Sequence, residues 1–280
     1  STPKPSSAAS DVYKRQPWPS NGLRSPSTSI ALLNDGSGVM SVLDPMVSGL
    51  YSHKMDLVSS PSGTNMNSVI QIGSKIFVSS GEIIDVFDSS MWKWTTPITN
   101  LGGDVAAMTT DGTFMYVATR DSASIQELDH MGNLTRFWSS ADLTDETIID
   151  ISYDDTGYLV VSHPNGISIL NLVTNNAQKY EYDFGPFTDL VTLDGVAYLV
   201  TLNEGVQRVE IDTGTLLSPW RSTGLDELND VPVAVGNGMI YLGIPNYGVT
   251  IFDEITGEVL EVWDGGQGGD LPSDTVVSLH

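Results

Sequence analysis

Aspartates recur in the segments that separate successive groups of apolar runs. Carboxylate oxygens supplied by several flexible loops suit the large, tolerant coordination shell of Ca²⁺ better than the strict octahedron of Mg²⁺. The sequence therefore predicts a face that binds a hard cation such as calcium, or a basic partner, while general acidity spread over the surface is the alternative. Its candidate cation ligands are Asp104, Asp145, Asp226, Asp230 and Asp274.

Other residue types with catalytic or ligating chemistry show no productive spacing. A Gly-x-Ser-x-Gly elbow, a phosphate-binding glycine loop and an EF-hand pattern do not occur. We therefore assign no catalytic residue and favour a protein that is not an enzyme. The histidines lie too far apart in sequence to form a metal-binding motif: His53, His130, His163 and His280.

The charge balance limits the classes of partner. Asp and Glu outnumber Lys and Arg 35 to 12 over 280 residues, for a net charge of −23. A surface of this sign repels nucleic-acid phosphates, so we expect no nucleic-acid partner. No apolar run reaches the roughly 18 residues of a membrane span. The acidic surface and the absence of cysteine favour an extracytoplasmic or secreted location.

The first 27 residues differ from the rest in composition and in apolar pattern. They are rich in Ser and Pro and have no periodic apolar pattern, and the run SDVYKRQ resembles translated adapter sequence from environmental data. We predict a disordered or non-native leader over residues 1–27 and one domain over residues 28–280.

The domain repeats itself with a period of about forty residues. The strand-like runs KIFVSS, FMYVAT, GYLVVS, AYLVT and IYLGI align at spacings of 39, 43, 39 and 43 on Phe77, Tyr116, Leu159, Tyr198 and Tyr241. Four tryptophans recur at intervals of 44, 82 and 43, and we expect them to pack between repeats: Trp94, Trp138, Trp220 and Trp263.

Each repeat contains four short runs with strand character. In the first full unit these are SVIQI, KIFVSS, IIDVFD and MWKW, rich in β-branched and aromatic residues, with Gly, Asn and Asp at the joints between such runs. Four antiparallel strands every 40 to 45 residues are typical of a β-propeller blade. The predicted fold class is therefore all-β, a β-propeller.

Counting strands predicts six blades. SIALLN, GVMSVLD and LYSHKMDL match strands two to four of a blade, and TVVSLH at residues 275–280 matches a first strand. We expect that C-terminal strand to pair with the strand near residues 29–34 and to close a monomeric ring without open edges. The alternative is a fragment of a longer repeat protein.

Two propeller families resemble this sequence over roughly residues 29–280. LPSDTVVSL and TIIDISYDDTGYLVVSHPNGISIL resemble the two-component-regulator propeller repeat, whereas VEIDTGTLLSPW and IFDEITGEVLEVW are similar to quinoprotein repeats. The first resemblance implies an extracytoplasmic sensor module. The second implies pyrroloquinoline quinone, calcium and alcohol oxidation.

These observations favour a non-enzymatic module that binds or senses a protein or small molecule on its interblade-loop face. The alternative is a calcium-dependent six-bladed hydrolase or lactonase, in which carboxylates around the central channel hold the metal. A quinone-dependent oxidoreductase fits less well, because those dehydrogenases commonly use adjacent cysteines and this chain has none.

Overall fold

A computed structural model describes most of the chain beyond residue 65. It covers strand residues 27–32, 38–42, 49–52 and 57–59, and then residues 66–88, 90–91, 93–143, 147–183, 187–201, 205–220, 232–236, 238–244 and 248–263. Within these ranges no helix is long and apolar enough to cross a membrane.

Regular structure in these ranges consists of strands. The bounds are β1 Ser27–Leu32, β2 Gly38–Val42, β3 Gly49–Ser52, β4 Leu57–Ser59, β5 Met66–Ile72, β6 Lys75–Ser80, β7 Ile83–Asp88, β8 Lys93–Trp94, β9 Val105–Thr110, β10 Met115–Thr119, β11 Ser124–Leu128, β12 Leu134–Trp138, β13 Asp150–Asp154, β14 Tyr158–His163, β15 Gly166–Asn171, β16 Asn176–Glu181, β17 Phe187–Leu193, β18 Val196–Thr201, β19 Gly205–Glu210, β20 Thr215–Leu216, β21 Val233–Gly236, β22 Met239–Ile244, β23 Gly248–Asp253 and β24 Val259–Trp263.

Five four-stranded antiparallel blades follow one another along the chain: β5–β8, β9–β12, β13–β16, β17–β20 and β21–β24. The first strands of successive blades, β5, β9, β13, β17 and β21, lie side by side. We call these the inner strands. The chain is thus an all-β propeller, which confirms the predicted fold class.

Antiparallel pairing places the connections on two opposite faces. Connections between the second and third strands, and from one blade to the next, lie on what we call the loop face. Connections between the first and second strands lie on the turn face. Asp194 and Gly195 make one of these with φ of 48° and 80°, the left-handed geometry that favours Asp-Gly in two-residue hairpins.

The hydrophobic core lies between neighbouring blades. Every residue of β10 is buried, and the ring of Tyr116 stacks on Tyr153 of the next blade at 6.0 Å between centroids. Trp220 likewise stacks on Phe252 of the blade that follows it, at 5.8 Å. Each blade therefore needs a neighbour to bury its apolar face.

The prediction that the four repeated tryptophans pack between blades is confirmed for two of them. Trp138 and Trp220 are 2% and 7% exposed, whereas Trp94 and Trp263 are half-buried. Trp94 is not the structural equivalent of Trp138, because Ile98 forms the bridge to Ile84 that corresponds to the pairing of Trp220 with Val206. The Trp94 ring instead meets Phe87 of its own blade edge-on at 5.4 Å.

The N-terminal sheet differs from the assignment made from sequence. Strand β1, predicted as a second strand, lies beside β5 as β5 lies beside β9, so β1 holds the first position. The predicted single strand LYSHKMDL is divided between β3 and β4, which gives the sheet the order β1-β2-β3-β4. The closing strand predicted at residues 275–280 lies outside the described residues.

Candidate functional site

A cavity opens on the loop face between the β5–β8 blade and the β9–β12 blade. Three connections form it: the turn from β6 to β7, the loop from β8 to β9, and the turn from β10 to β11. Its volume is about 480 Å³, and it is lined by Glu82, Ile83, Thr99, Asn100, Leu101, Gly102, Gly103 and Asp121. That volume lies within the range of small-molecule sites.

The loop from β8 to β9 is fixed at its start. Ile98 and Ile84 exchange two backbone hydrogen bonds, of 2.9 and 2.8 Å. The buried Gln126 side chain donates to the carbonyl of Leu101. A buried amide that reaches a loop carbonyl satisfies both groups, so the loop is held against the blade that follows it.

The other end of this loop is tied to both neighbouring turns. Val105 N donates to Gly81 O at 2.9 Å, and Arg120 N donates to Asp104 O at 2.8 Å. Between the two ends the loop turns through Gly102, where φ is +80° and glycine is favoured. The cavity wall is therefore backbone of defined conformation.

Hydroxyl groups order the turn that carries Asp121. Thr119 Oγ1 lies 2.5 Å from Ser122 Oγ and 2.8 Å from Ser124 Oγ, and the two serine hydroxyls are 2.7 Å apart. Asp121 packs beside Gly103, where an added β-carbon would lie 3.6 Å from Asp121 Oδ2. Asp121 thus lies beside the loop and contributes a carboxylate to the lining of the cavity.

Two exposed carboxylates line the cavity, those of Glu82 and Asp121, and the exposed Asp104 directly follows the lining residue Gly103. Asp104 stands next to Gly81, since a β-carbon there would be 3.7 Å from Asp104 Oδ1. None of the residues lining the cavity is basic. The arrangement can attract a cation or a basic side chain and leaves room for it to keep part of its hydration.

Of the predicted cation ligands, Asp104 is the one that lies among the described residues, at the end of the β8–β9 loop; its role as a ligand stays a prediction. Asp145, Asp226, Asp230 and Asp274 lie outside the described residues, so their convergence on one site stays a prediction. Among the described residues, no group of three or more His, Asp or Glu side chains is arranged to hold a metal ion.

Asp142, on another interblade loop, has a structural role that the sequence pattern does not reveal. Its Oδ2 accepts hydrogen bonds from Ser139 N at 2.9 Å and from Ser139 Oγ at 2.7 Å. These bonds, the side-chain one first, lower the pKa of Asp142. This aspartate therefore shapes a turn.

Two carboxyl groups that the sequence analysis does not single out meet on neighbouring inner strands. Leu190 N donates both to Asp150 Oδ2, at 3.1 Å, and to Asp189 Oδ1, at 2.9 Å. Asp150 Oδ1 also accepts from Ile151 N at 2.8 Å, and Asp189 Oδ2 accepts from Val233 N at 2.7 Å. Hydrogen bonds thus connect the inner strands β13, β17 and β21.

The surroundings of this pair disfavour ionisation. Both side chains are half-buried. Desolvation, then the charge of Asp189, then the hydrogen bond between the two carboxyl groups raise the pKa of Asp150 well above its usual range. The repeat spacing could have indicated that these two residues occupy equivalent positions in neighbouring blades. Asp150 and Asp189 are 39 residues apart, which is also the spacing between the aligned residues Leu159 and Tyr198.

Comparison with known proteins supports the fold alone. No protein-family model matches the chain, and no curated protein matches it. The crystal structure of the computationally designed Ika8 protein is similar, with a TM-score of 0.66 and 13% identity, over 91% of this chain and 77% of that one. At this identity the likeness shows a β-propeller and nothing of its ligand.

Proposed function

We propose that this propeller is a non-enzymatic binding module whose loop face takes a cationic ligand. The observation that supports it is a cavity of about 480 Å³ whose lining includes Glu82 and Asp121 and no basic residue. Asp104 lies at the end of the loop that forms one wall of it. A basic side chain of a protein partner, or a hard cation such as calcium, has the charge and size to enter it. Complementary charge speeds encounter and selects the partner.

A peptide titration tests this proposal. The probe is a fluorescein-labelled octapeptide of alternating lysine and glycine, followed by fluorescence anisotropy at low and moderate salt. We expect saturable binding that weakens with salt. The double variant Glu82→Gln/Asp121→Asn should bind about tenfold more weakly.

A matched double variant controls for the loss of charge. Asp155→Asn/Glu258→Gln removes the same two charges at exposed positions away from the cavity. It should bind the peptide like the wild type. Equal weakening in both double variants would contradict the proposal, because bulk acidity would then account for the attraction.

The hydrolase alternative would need more ligands than the described residues supply. Asp150 and Asp189 bring two carboxyl groups together on inner strands, but a metal that polarises substrate is commonly held by three or more protein groups. A binding role needs no such centre. We further propose an extracytoplasmic or secreted location, supported by the acidic, cysteine-free composition and by the resemblance to regulator propellers.

We also propose that the propeller has six blades, with the β1–β4 sheet as one of them and residues 275–280 at its junction with the β21–β24 blade. The support is the half-buried state of Tyr241 and Trp263 on the last blade. The aligned Tyr116 and Tyr198 are only 1% and 3% exposed, each covered by the next blade.

Truncation tests the closure. Deleting residues 274–280 should lower the melting temperature and promote association, because it would leave strand edges unprotected. Sedimentation measures the association. A truncated chain that stays monomeric with an unchanged melting temperature would contradict closure by this segment.

A further inference from the structure

The outer strand of the β21–β24 blade is an exposed edge. β24 is the last strand of its four-stranded sheet, and no other described strand pairs with its far side. Four of its five residues are exposed; among them Val259, Leu260 and Val262 are 47%, 54% and 47% exposed. An edge strand leaves a row of N–H and C=O groups unpaired, so another extended chain can pair with it.

The outer strands of the other four blades are protected in ways that β24 is not. β8 and β20 have two residues each. β12 and β16 each carry a basic residue, Arg136 and Lys179 respectively. Short strands and basic side chains are common means of blocking a sheet edge. β24 has five residues and contains neither Lys nor Arg.

The register of β24 on β23 divides its side chains between the two faces of the sheet. Val262 lies opposite Thr250 and Glu261 lies opposite Ile251, so these two residues of β24 point to opposite faces. Val259, on the other side of a bulge, shares the face of Val262. A strand added beside β24 would therefore meet apolar side chains on one face and a carboxylate on the other.

The charge of this blade selects the class of partner. Residues 233–263 contain no Lys or Arg and four acidic residues, Asp253, Glu254, Glu258 and Glu261. Two copies of β24 paired with each other would bring like charges onto one short ladder, which is unfavourable. A basic segment has the complementary charge, so it fits this edge better than a second copy of the chain does.

We propose that β24 is a docking edge for an extended segment of a partner protein in which Lys or Arg alternates with Val or Ile. The segment adds a fifth strand to the β21–β24 sheet, and its backbone pairs with the free groups of β24. Its apolar side chains cover Val259 and Val262, and a basic side chain lies beside Glu261. This edge is a different surface from the loop-face cavity, so the two proposals stand or fall separately.

Fluorescence anisotropy with a labelled nonapeptide tests the docking edge. The probe alternates lysine and valine between two terminal glycines. It is titrated into the Glu82→Gln/Asp121→Asn variant, so that the loop-face cavity does not contribute. We expect saturable binding, and weak binding because the contact is small. The lysine–glycine octapeptide lacks apolar side chains and should bind this variant at least about tenfold more weakly; equal binding of the two peptides would contradict the proposal.

A copy of the nonapeptide methylated on its backbone nitrogens tests the mode of binding. It keeps the charges and the valine side chains, but it cannot donate backbone hydrogen bonds to a strand edge. Its affinity should be at least about tenfold lower than that of the unmodified peptide. An unchanged affinity would rule out pairing with an edge strand.

Val262→Lys, made in the same variant, locates the binding edge. It places on β24 the kind of basic side chain that β12 and β16 carry, and it should weaken binding by at least about tenfold. Leu134→Lys is the matched control, because it makes the same change of charge at a 57% exposed position on the outer strand β12. It should leave binding unchanged. Equal effects of the two substitutions, or no effect of Val262→Lys, would overturn the proposal.

Two further measurements do not depend on peptide affinity in the variants. Hydrogen exchange should show protection of residues 259–263 when the nonapeptide is bound, and protection elsewhere without it there would contradict the assignment. Sedimentation of the peptide-free protein should show a monomer. A dimer that Val262→Lys abolishes would mean that the occupant of this edge is a second copy of the chain, and it would overturn the proposal of a basic partner.

Discussion

The indole ring of Trp220 lies on Gly257 of the next blade, where an added β-carbon would come within 2.5 Å of the ring. Tyr180 lies on Gly214 in the same way, at 2.0 Å. Ile98 lies on Gly132 and Trp138 donates to Asn175, and all four contacted residues have left-handed backbone. Each of the four blades from β5–β8 to β17–β20 thus places a bulky residue on the turn between the third and fourth strands of the blade that follows it.

The substitution Gly257→Ala tests this contact from the turn side. Gly257 has a φ of +70°, so alanine would combine left-handed strain with a collision against Trp220. We expect a loss of about 2 to 4 kcal/mol in the free energy of unfolding, measured with urea. Gly112→Ala has similar backbone strain but no neighbour within 4 Å, and it should cost less; equal losses would contradict the contact.

Trp220→Ala tests the same contact from the indole side. Trp220 also stacks on Phe252 and lies 5.0 Å from the guanidinium of Arg208. Loss of this burial should lower the free energy of unfolding by roughly 3 to 5 kcal/mol. A larger loss from Trp263→Ala, whose ring is half-buried, would argue against packing between blades as the cause.

Arg136→Met should expose the cost of an unpaired buried carboxylate. Glu127 is 2% exposed, and Arg136 Nε donates to it at 2.7 Å; this side-chain hydrogen bond is the main reason that the pKa of Arg136 is raised. Removing the guanidinium should cost about 3 kcal/mol at neutral pH.

The double variant Glu127→Gln/Arg136→Met is the control for that loss. It removes the Glu127 carboxylate charge that Arg136→Met leaves unpaired, so it should be more stable than Arg136→Met alone. If the double variant is the less stable of the two, the ion pair is not what the substitution disturbs.

Calcium dependence tests the cation ligands predicted from sequence. Millimolar calcium should raise the melting temperature beyond a sodium control of equal ionic strength, because a ligand that binds only the folded state stabilises it by mass action. The variants Asp104→Asn and Asp226→Asn/Asp230→Asn should reduce that difference. Equal shifts with calcium, magnesium and sodium would leave only screening of a generally acidic surface.

The repeat made the architecture predictable. Local patterns of alternating apolar residues and Gly or Asp turns are visible in one repeat at a time, so the strands around Tyr116 and Tyr198 could be placed from sequence. Trp94 shows the limit of that reasoning: its residue type fits the repeat, but the two-residue strand β8 leaves Ile98 to form the equivalent bridge.

The site was less predictable because its contacts cross blades. Asp104 could be placed on the loop face from strand order alone. The meeting of Asp150 and Asp189 depends on how neighbouring inner strands lie side by side, and on a bulge between Phe187 and Asp189 that alters the register of β17. A strand-by-strand interpretation of sequence does not contain that information.

Hydrogen exchange with and without the lysine–glycine octapeptide most directly tests the claim that the loop face binds a cationic ligand. The proposed site predicts peptide-dependent protection in residues 99–103 and in the β6–β7 and β10–β11 turns, and none in the β13–β14 turn on the opposite face. Protection confined to the turn face, or no protection at saturating peptide, would contradict it.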